Sequence, residues 1–342
     1  MLRIFASLLV FFALSACSAA PVPPSQTAAR FGVALDGRPI TGERLAGLAE
    51  SFGARPGVVV VFEQWPETGA GDLTGLAESL AAIRGSGATP VVTWEPMFYR
   101  ADGTEIIIPA ADILGGRHDA HLDAFAALLA AQPGEVIVRL MHESNLARYH
   151  WGVSKDNYDA RAPEVYRRLW RHIVARVRAT AGPEAAARIR FAFCPNAESV
   201  PGPGNSDAHA WNTLSVWWPG AEWVDVVGVD GYNWGDTQTP ERHGWRSHWR
   251  SFENILGPAV AELRALAPGK PLYVFETASA STGGDKAAWL REAAATARRW
   301  DLAAVCWFEA DKEIDWRLAT GLPPETAREF VRSLGAGVPP RP

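Results

Sequence analysis

"EVIVRLMHE", residues 135–143, decides the fold. Val136 to Leu140 is almost continuously apolar, with Arg139 the single interruption, and the run then breaks into His142 and Glu143. A strand with one face in water would alternate. A near-continuous β-branched run instead describes a parallel strand covered on both faces. The same shape recurs in "FGVALD" (31–36), "GVVVVFEQW" (57–65), "TPVVTWEP" (89–96), "IRFAFCPN" (189–196), "VDVVGVDGY" (224–232), "LYVFETAS" (272–279) and "AAVCWFEA" (303–310). Helical patterns follow these runs. "ITGERLAGLAESFG" has Thr41 as its cap and Gly53 as its stop, "DLTGLAESLAAIRG" has Asp72 and Gly85 in those places, and "APEVYRRLWRHIVARVRATAG" starts near Pro163 and ends at Gly182. Eight strand–helix units predict an α/β fold, a single (β/α)8 TIM barrel over residues 31–336, with 337–342 as a disordered tail.

The longest insertions, 97–118, 144–162, 197–223 and 233–252, all follow the C-terminal ends of strands, where barrels build their sites. The polar residues there form a chemical inventory: Asp36, Glu63, Gln64, Glu95, His142, Glu143, Asn145, Asn196, Glu198, Asp230, Tyr232, Glu276 and Glu309. Carboxylates dominate it. The sequence has no phosphate-cradling glycine motif and no serine elbow with an evident histidine base. "HESNL" is not a zinc-protease motif, and His118 and His121 read as a solvated helix face rather than a metal pair. Two acids at strand ends, with no metal or cofactor implied, suit glycosidic bond cleavage. One carboxyl protonates the leaving oxygen and the other, ionised, attacks the anomeric carbon. Glu143 and Glu276 are the best pair, because each ends an apolar run and each is followed by small or polar residues.

Composition agrees. The 342 residues are 48% hydrophobic and 21% charged, with a net charge of −5, which leaves no basic footprint for nucleic acid. Fifteen tryptophans exceed ordinary core needs and suggest indole platforms for sugar rings. Of the three cysteines, Cys194 and Cys306 lie in apolar runs and read as buried hydrophobes. Cys17 differs. A basic start, an apolar stretch over Ile4–Leu14 and the ending Leu14-Ser15-Ala16-Cys17 resemble a bacterial lipoprotein signal. That resemblance implies a signal peptide over 1–16, lipidation at Cys17, a flexible tether over 17–30 and export to the outer membrane or cell surface. Plain secretion, or a periplasmic location, is the alternative.

From Arg139 to Trp151 the chain reads R-L-M-H-E-S-N-L-A-R-Y-H-W, which resembles without a gap the strand-four motif of glycoside hydrolase family 26. "FCPN" (193–196), "WWPGAEWVDVVGVDGYNWG" (217–235), "PLYVFETASASTGGDKAAWL" (271–290) and "WFEADKEIDWR" (307–317) extend the resemblance through strands four to eight. It implies a retaining mechanism with Glu143 as acid/base and Glu276 as nucleophile. Tyr232 would hold the nucleophile, and His142 would lie against the sugar. Asn145 and Tyr149 belong to the same substrate-binding loop. Trp307 would floor the sugar site, with Trp151 and Trp234 extending the platform. Arg139 reads as a buried counter-charge. Arg148 stands where the family has tryptophan, which removes a stacking surface and adds a cation, either against substrate or facing solvent.

The expected activity is endo-hydrolysis of a β-linked polysaccharide, with β-1,4-mannan the leading substrate. Mixed-linkage β-glucan, xylan or a self-made exopolysaccharide are alternatives within the same chemistry. A carbohydrate-binding lipoprotein that has lost turnover is the non-enzymatic alternative. The expected partner is the glycan alone, met by a monomer whose only membrane contact is the lipid on Cys17.

Overall fold

The computed structural model describes residues 30–153, 162–204 and 209–335. Cys17, the signal peptide and the 337–342 tail lie outside the described residues, as does the tether except for Arg30. Arg30 opens the first strand rather than closing a tether. Its guanidinium donates to Thr89 Oγ1 (3.0 Å) and Tyr273 Oη (2.9 Å).

Eight parallel strands close a barrel: β1 (Arg30–Ala34), β2 (Val58–Gln64), β3 (Thr89–Glu95), β6 (Val136–Leu140), β7 (Ile189–Phe193), β8 (Val226–Asn233), β9 (Leu272–Ser279) and β10 (Ala304–Phe308). A small antiparallel hairpin, β4 (Met97–Tyr99) with β5 (Glu105–Ile107), sits in the insertion after β3. The strands predicted from their apolar runs are therefore the barrel strands. They are buried along most of their length, as strands with helices on one side and a packed lumen on the other must be.

The first helix forms where capping chemistry places it. Thr41 Oγ1 accepts from Arg44 N at the start of α1 (Gly42–Phe52), and Gly53 closes that helix at φ 69°. By contrast, α2 (Thr74–Gly85) is capped by Leu73 without a side-chain bond, with Asp72 Oδ1 accepting from Thr74 N, and runs through Gly85 to end at Ser86. In α5 (Ala162–Ala186), Gly182 at φ 77° breaks the helix and Pro183 follows. No described helix is long and apolar enough to cross a membrane.

Alternation along the strands sorts side chains between lumen and helix layer. On β3, Thr93 faces inward to Arg139, whereas Trp94 faces outward and stacks on Phe125 of α4 (Asp119–Ala130) at 3.8 Å. Two breaks in this rule matter. β9 carries one extra residue against β8 and β10, with the register slipping between Val229 and Asp230 and between Val305 and Trp307. This bulge turns both Phe275 and Glu276 toward Arg139 in the lumen. Gly228 leaves room for it, because a Cβ there would sit 2.3 Å from the Phe275 ring. On the other side, β6 stops at Leu140, and Met141 (φ 44°) and Glu143 (φ 51°) adopt left-handed backbone. Such residues cost about 1–3 kcal/mol each and persist where the surroundings over-determine them.

Candidate active site

Arg139 is fully buried at the centre of the barrel mouth. Its Nη1 donates to Asp230 Oδ2 (2.6 Å), its Nη2 to Glu276 Oε1, and Nε and Nη2 both reach Thr93 Oγ1 (2.8 and 2.6 Å). The Phe62 and Phe275 rings lie 5.5 and 5.8 Å from its guanidinium carbon. A buried cation bonded to two carboxylates and a hydroxyl is committed to those partners, so Arg139 serves the site as a counter-charge.

Glu276 is thereby aimed. One oxygen is held by Arg139 and the other accepts from Tyr232 Oη at 2.5 Å. Burial and the negative charges around it raise the Tyr232 hydroxyl well above its ordinary range, so it stays a donor. Glu143 completes the pair. Its Oε1 accepts from Asn196 Nδ2 (2.7 Å), and its backbone N donates to Cys194 O (2.8 Å), which ties the turn after β6 to the end of β7. Burial first, and then the charge of Glu276, push the Glu143 carboxyl up to about 7. One acid is thus kept protonated near neutrality beside another that is braced by a guanidinium. Environment has split two identical side chains into different roles.

His142 is adjacent in sequence to Glu143, yet both serve the pocket, as the left-handed backbone allows. The ring lies 4.8 Å from Tyr149 and 6.4 Å from Phe62. Burial, and next the charge of Arg139, hold its pKa well below the usual histidine range, so it is a neutral imidazole. His142, Asp230 and Glu276 offer ligand atoms within 4.8 Å of one another, and both carboxylates are already paired with Arg139.

Several expected substrate contacts have other duties. Asn145 is fully buried, and its amide bonds Asn196 O (2.9 Å), Ser199 Oγ (3.2 Å) and Asn196 N (2.8 Å). It clamps the loop carrying Glu143 rather than meeting sugar. Trp151 is also fully buried, stacked behind Tyr149 at 4.5 Å, with its Nε1 donating to His142 O (2.8 Å). Tyr149 is half-buried and presents the surface that Trp151 backs.

Trp307 does not floor the site. It faces outward, packing on Trp289 (6.1 Å) and Phe330 (5.9 Å) of the helix layer. The inward residue is its neighbour Phe308, which meets Phe62 (6.5 Å) and Tyr232 (5.9 Å). Trp316, which sequence reasoning missed, lies 5.1 Å from Tyr232 and 4.8 Å from Trp234. Trp234 is half-buried and reaches the exposed Trp245 at 5.8 Å, so this side keeps an aromatic wall.

Arg148 faces solvent, its side chain 51% exposed, but it is not free. It pairs with Glu105 (3.0 Å), donates to Tyr99 Oη (3.2 Å) and lies over the Tyr149 ring at 5.0 Å, latching the β4–β5 hairpin to the loop after β6. His118 and His121 are buried, not a solvated face. His121 lies 2.9 Å from Ala70 O and accepts from Trp94 Nε1 (3.3 Å), and burial pushes it down to about 4, which describes a satisfied core histidine. Asp36 and Glu198 also leave the inventory, because they pair at the surface with Arg44 and Arg250.

Residues 119–247 match the model of glycosyl hydrolase family 26. Over 260 residues, 75% of the chain, the sequence is 32% identical to endoglucanase H of Acetivibrio thermocellus, and it spans 25% of that protein's length. Among solved structures, the YdhT protein from Bacillus subtilis superposes with a TM-score of 0.63 at 16% identity, covering 92% of this chain and 87% of that one. Bacillus subtilis mannanase BCman does so at 0.60 and 17%, covering 89% and 85%. At these identities the structural likeness is one of fold.

Proposed function

Because the chain belongs to glycosyl hydrolase family 26, we propose that it is a retaining β-glycoside hydrolase acting within a β-linked polysaccharide. The observation that carries this reading is the paired environment of two glutamates at one barrel mouth. Glu143 is held protonated up to about 7 by burial and by Glu276, and Glu276 is gripped by Arg139 and Tyr232.

Glu143 donates its proton to the glycosidic oxygen as Glu276 attacks the anomeric carbon. The leaving sugar departs with that proton, and an ester joins the remaining glycosyl unit to Glu276. Glu143, now ionised, takes a proton from water, whose oxygen attacks the same carbon and frees Glu276. Arg139 and Tyr232 keep the carboxylate aimed through both steps. His142, being neutral, offers a hydrogen bond to the sugar without adding charge.

A β-glucan backbone is the substrate we place first. The relative at 32% identity is named an endoglucanase, whereas the mannanase resembles this chain at 17%. β-Mannan is the second reading, supported by the strand-four motif around Glu143. Hydrolysis of lichenan, carboxymethylcellulose, mannan, galactomannan and xylan, followed by reducing-end release, tests both. New reducing ends from a glucan are expected. Binding to these polymers with no product from any of them would overturn the enzymatic reading in favour of a binding protein. Cys17 is read as the lipid attachment point that would hold the enzyme at the cell surface.

A further inference from the structure

The two-carboxylate reaction leaves a third acid in the same mouth unused. Glu95 ends β3, one inward position beyond Thr93, and is 3% exposed. Its register partner on β2 is Gln64, whose Nε2 donates to Glu95 Oε2 at 2.6 Å. Among the described residues, that is the one hydrogen bond its carboxylate receives. Glu95 nonetheless borders the catalytic cluster: it shares a face of β3 with Thr93, whose Oγ1 accepts from Arg139, and its charge also acts on Glu143 and Tyr149. A carboxylate has about four acceptor sites. A buried one with most of them unfilled is costly unless a donor arrives.

Glu143, the reacting acid, likewise receives a single hydrogen bond, whereas the remaining mouth carboxylates are paired or more fully bonded. Both oxygens of Glu276 are engaged, and Glu63, one residue before Gln64, is paired with Arg38. Glu309 accepts from the backbone of Leu318 at 2.8 Å and lies beside Lys286. Glu95 has no cation bonded to it, and its neighbours are the groups that act on the anomeric carbon. A neutral donor fits this place better than a cation, because Arg139 already supplies the positive charge. Gln64 adds an amide beside it, which can donate and accept.

We propose that Glu95 and Gln64 form a hydroxyl receptor that fixes the ring orientation of a substrate pyranose beside Glu276, and so act as specificity-determining residues. The ligand class is a neutral sugar with adjacent hydroxyls, one donating to Glu95 and the next exchanging hydrogen bonds with the Gln64 amide. A ring epimerised or lacking a hydroxyl at that position leaves Glu95 unpaired and is disfavoured. This rests on the glycosidase reading above and names the contact by which that site would select its sugar.

Aryl β-disaccharides, each deoxygenated at one free hydroxyl, test it on the full-length enzyme. Wild type is expected to lose about tenfold to a hundredfold in kcat/KM at the position that Glu95 binds. Glu95→Ala should show the same loss with the parent sugar and almost no further loss with that deoxy sugar. Gln64→Ala should be blunted at the same or the adjacent position, and thermal melting establishes that both variants fold. If every deoxy sugar is penalised equally in wild type and Glu95→Ala, the receptor is wrong while the hydrolase stands. If wild type turns over none of the parent glycosides or polymers, the glycosidase reading itself fails.

Discussion

Arg139 and Glu276 form an ion pair in the barrel mouth although β7 and β8 lie between the strands that carry them. Asp230, on the intervening β8, takes the other side of the same guanidinium. The Glu276 carboxylate is therefore positioned by one cation that reaches across the lumen, and the cluster stands or falls together.

Replacing Arg139 strands two buried carboxylates. Arg139→Leu is expected to cost about 3–5 kcal/mol of stability, the usual penalty for breaking a buried pair from one side. Chemical denaturation measures it. Adding Asp230→Asn should recover part of the loss, because one stranded charge is then gone.

Removing Glu276, the proposed nucleophile, should stop turnover while leaving the fold intact. Glu276→Ala is expected to lower kcat by at least about 10³-fold. A fluorosugar inactivator should label wild type on the peptide that contains residue 276, and mass spectrometry locates the ester. Label on any other carboxylate would reassign the nucleophile.

The pH profile follows from Glu143, which is raised to about 7. As a general acid it must begin protonated, so kcat/KM should fall as pH rises above about 7. Glu143→Ala should lose that basic limb, and should be impaired far less on substrates whose leaving groups need no proton.

Stability should show an unusual slope. Burial raises Glu63, Glu95 and Glu143 from 4.5 to about 7. Between these values the folded protein keeps protons that the unfolded chain has released. Their contribution is complete below about 4.5 and is lost as pH climbs through 7. The melting temperature should drop by several degrees, roughly, over that window. A melting temperature that rises across it would contradict the burial of these acids.

The proposed anchor has a direct check. Wild type expressed in a Gram-negative host should partition with membranes and carry a lipid mass increment. Cys17→Ala should appear in the soluble exported fraction with unchanged specific activity.

The barrel was legible because parallel strands announce themselves as apolar runs, and both acids stood at the ends of such runs. What alternation could not reveal was direction. Tyr273 and Phe275 share a face, so strict alternation would turn Glu276 outward, and the bulge brings it in. His142 and Glu143 are consecutive, and left-handed backbone lets both serve one pocket. The same blindness misplaced Trp307, whose neighbour Phe308 faces the lumen, and hid Trp316, which lies far along the loop from any strand end. Asn145 and Trp151 were found in the right loop but assigned to sugar, and Arg148 was left between substrate and solvent. Their partners come from distant segments, and no local pattern shows that their bonding capacity is already used.

Eight of the fifteen tryptophans are shut inside the protein, Trp307 and Trp151 among them. Their emission will therefore track the integrity of the scaffold. A saccharide titrated into the cleft will perturb a minority of the indoles, chiefly Trp234 and Trp245, against a large constant background. Intrinsic fluorescence will accordingly make a sensitive gauge of unfolding and a blunt one of ligand occupancy.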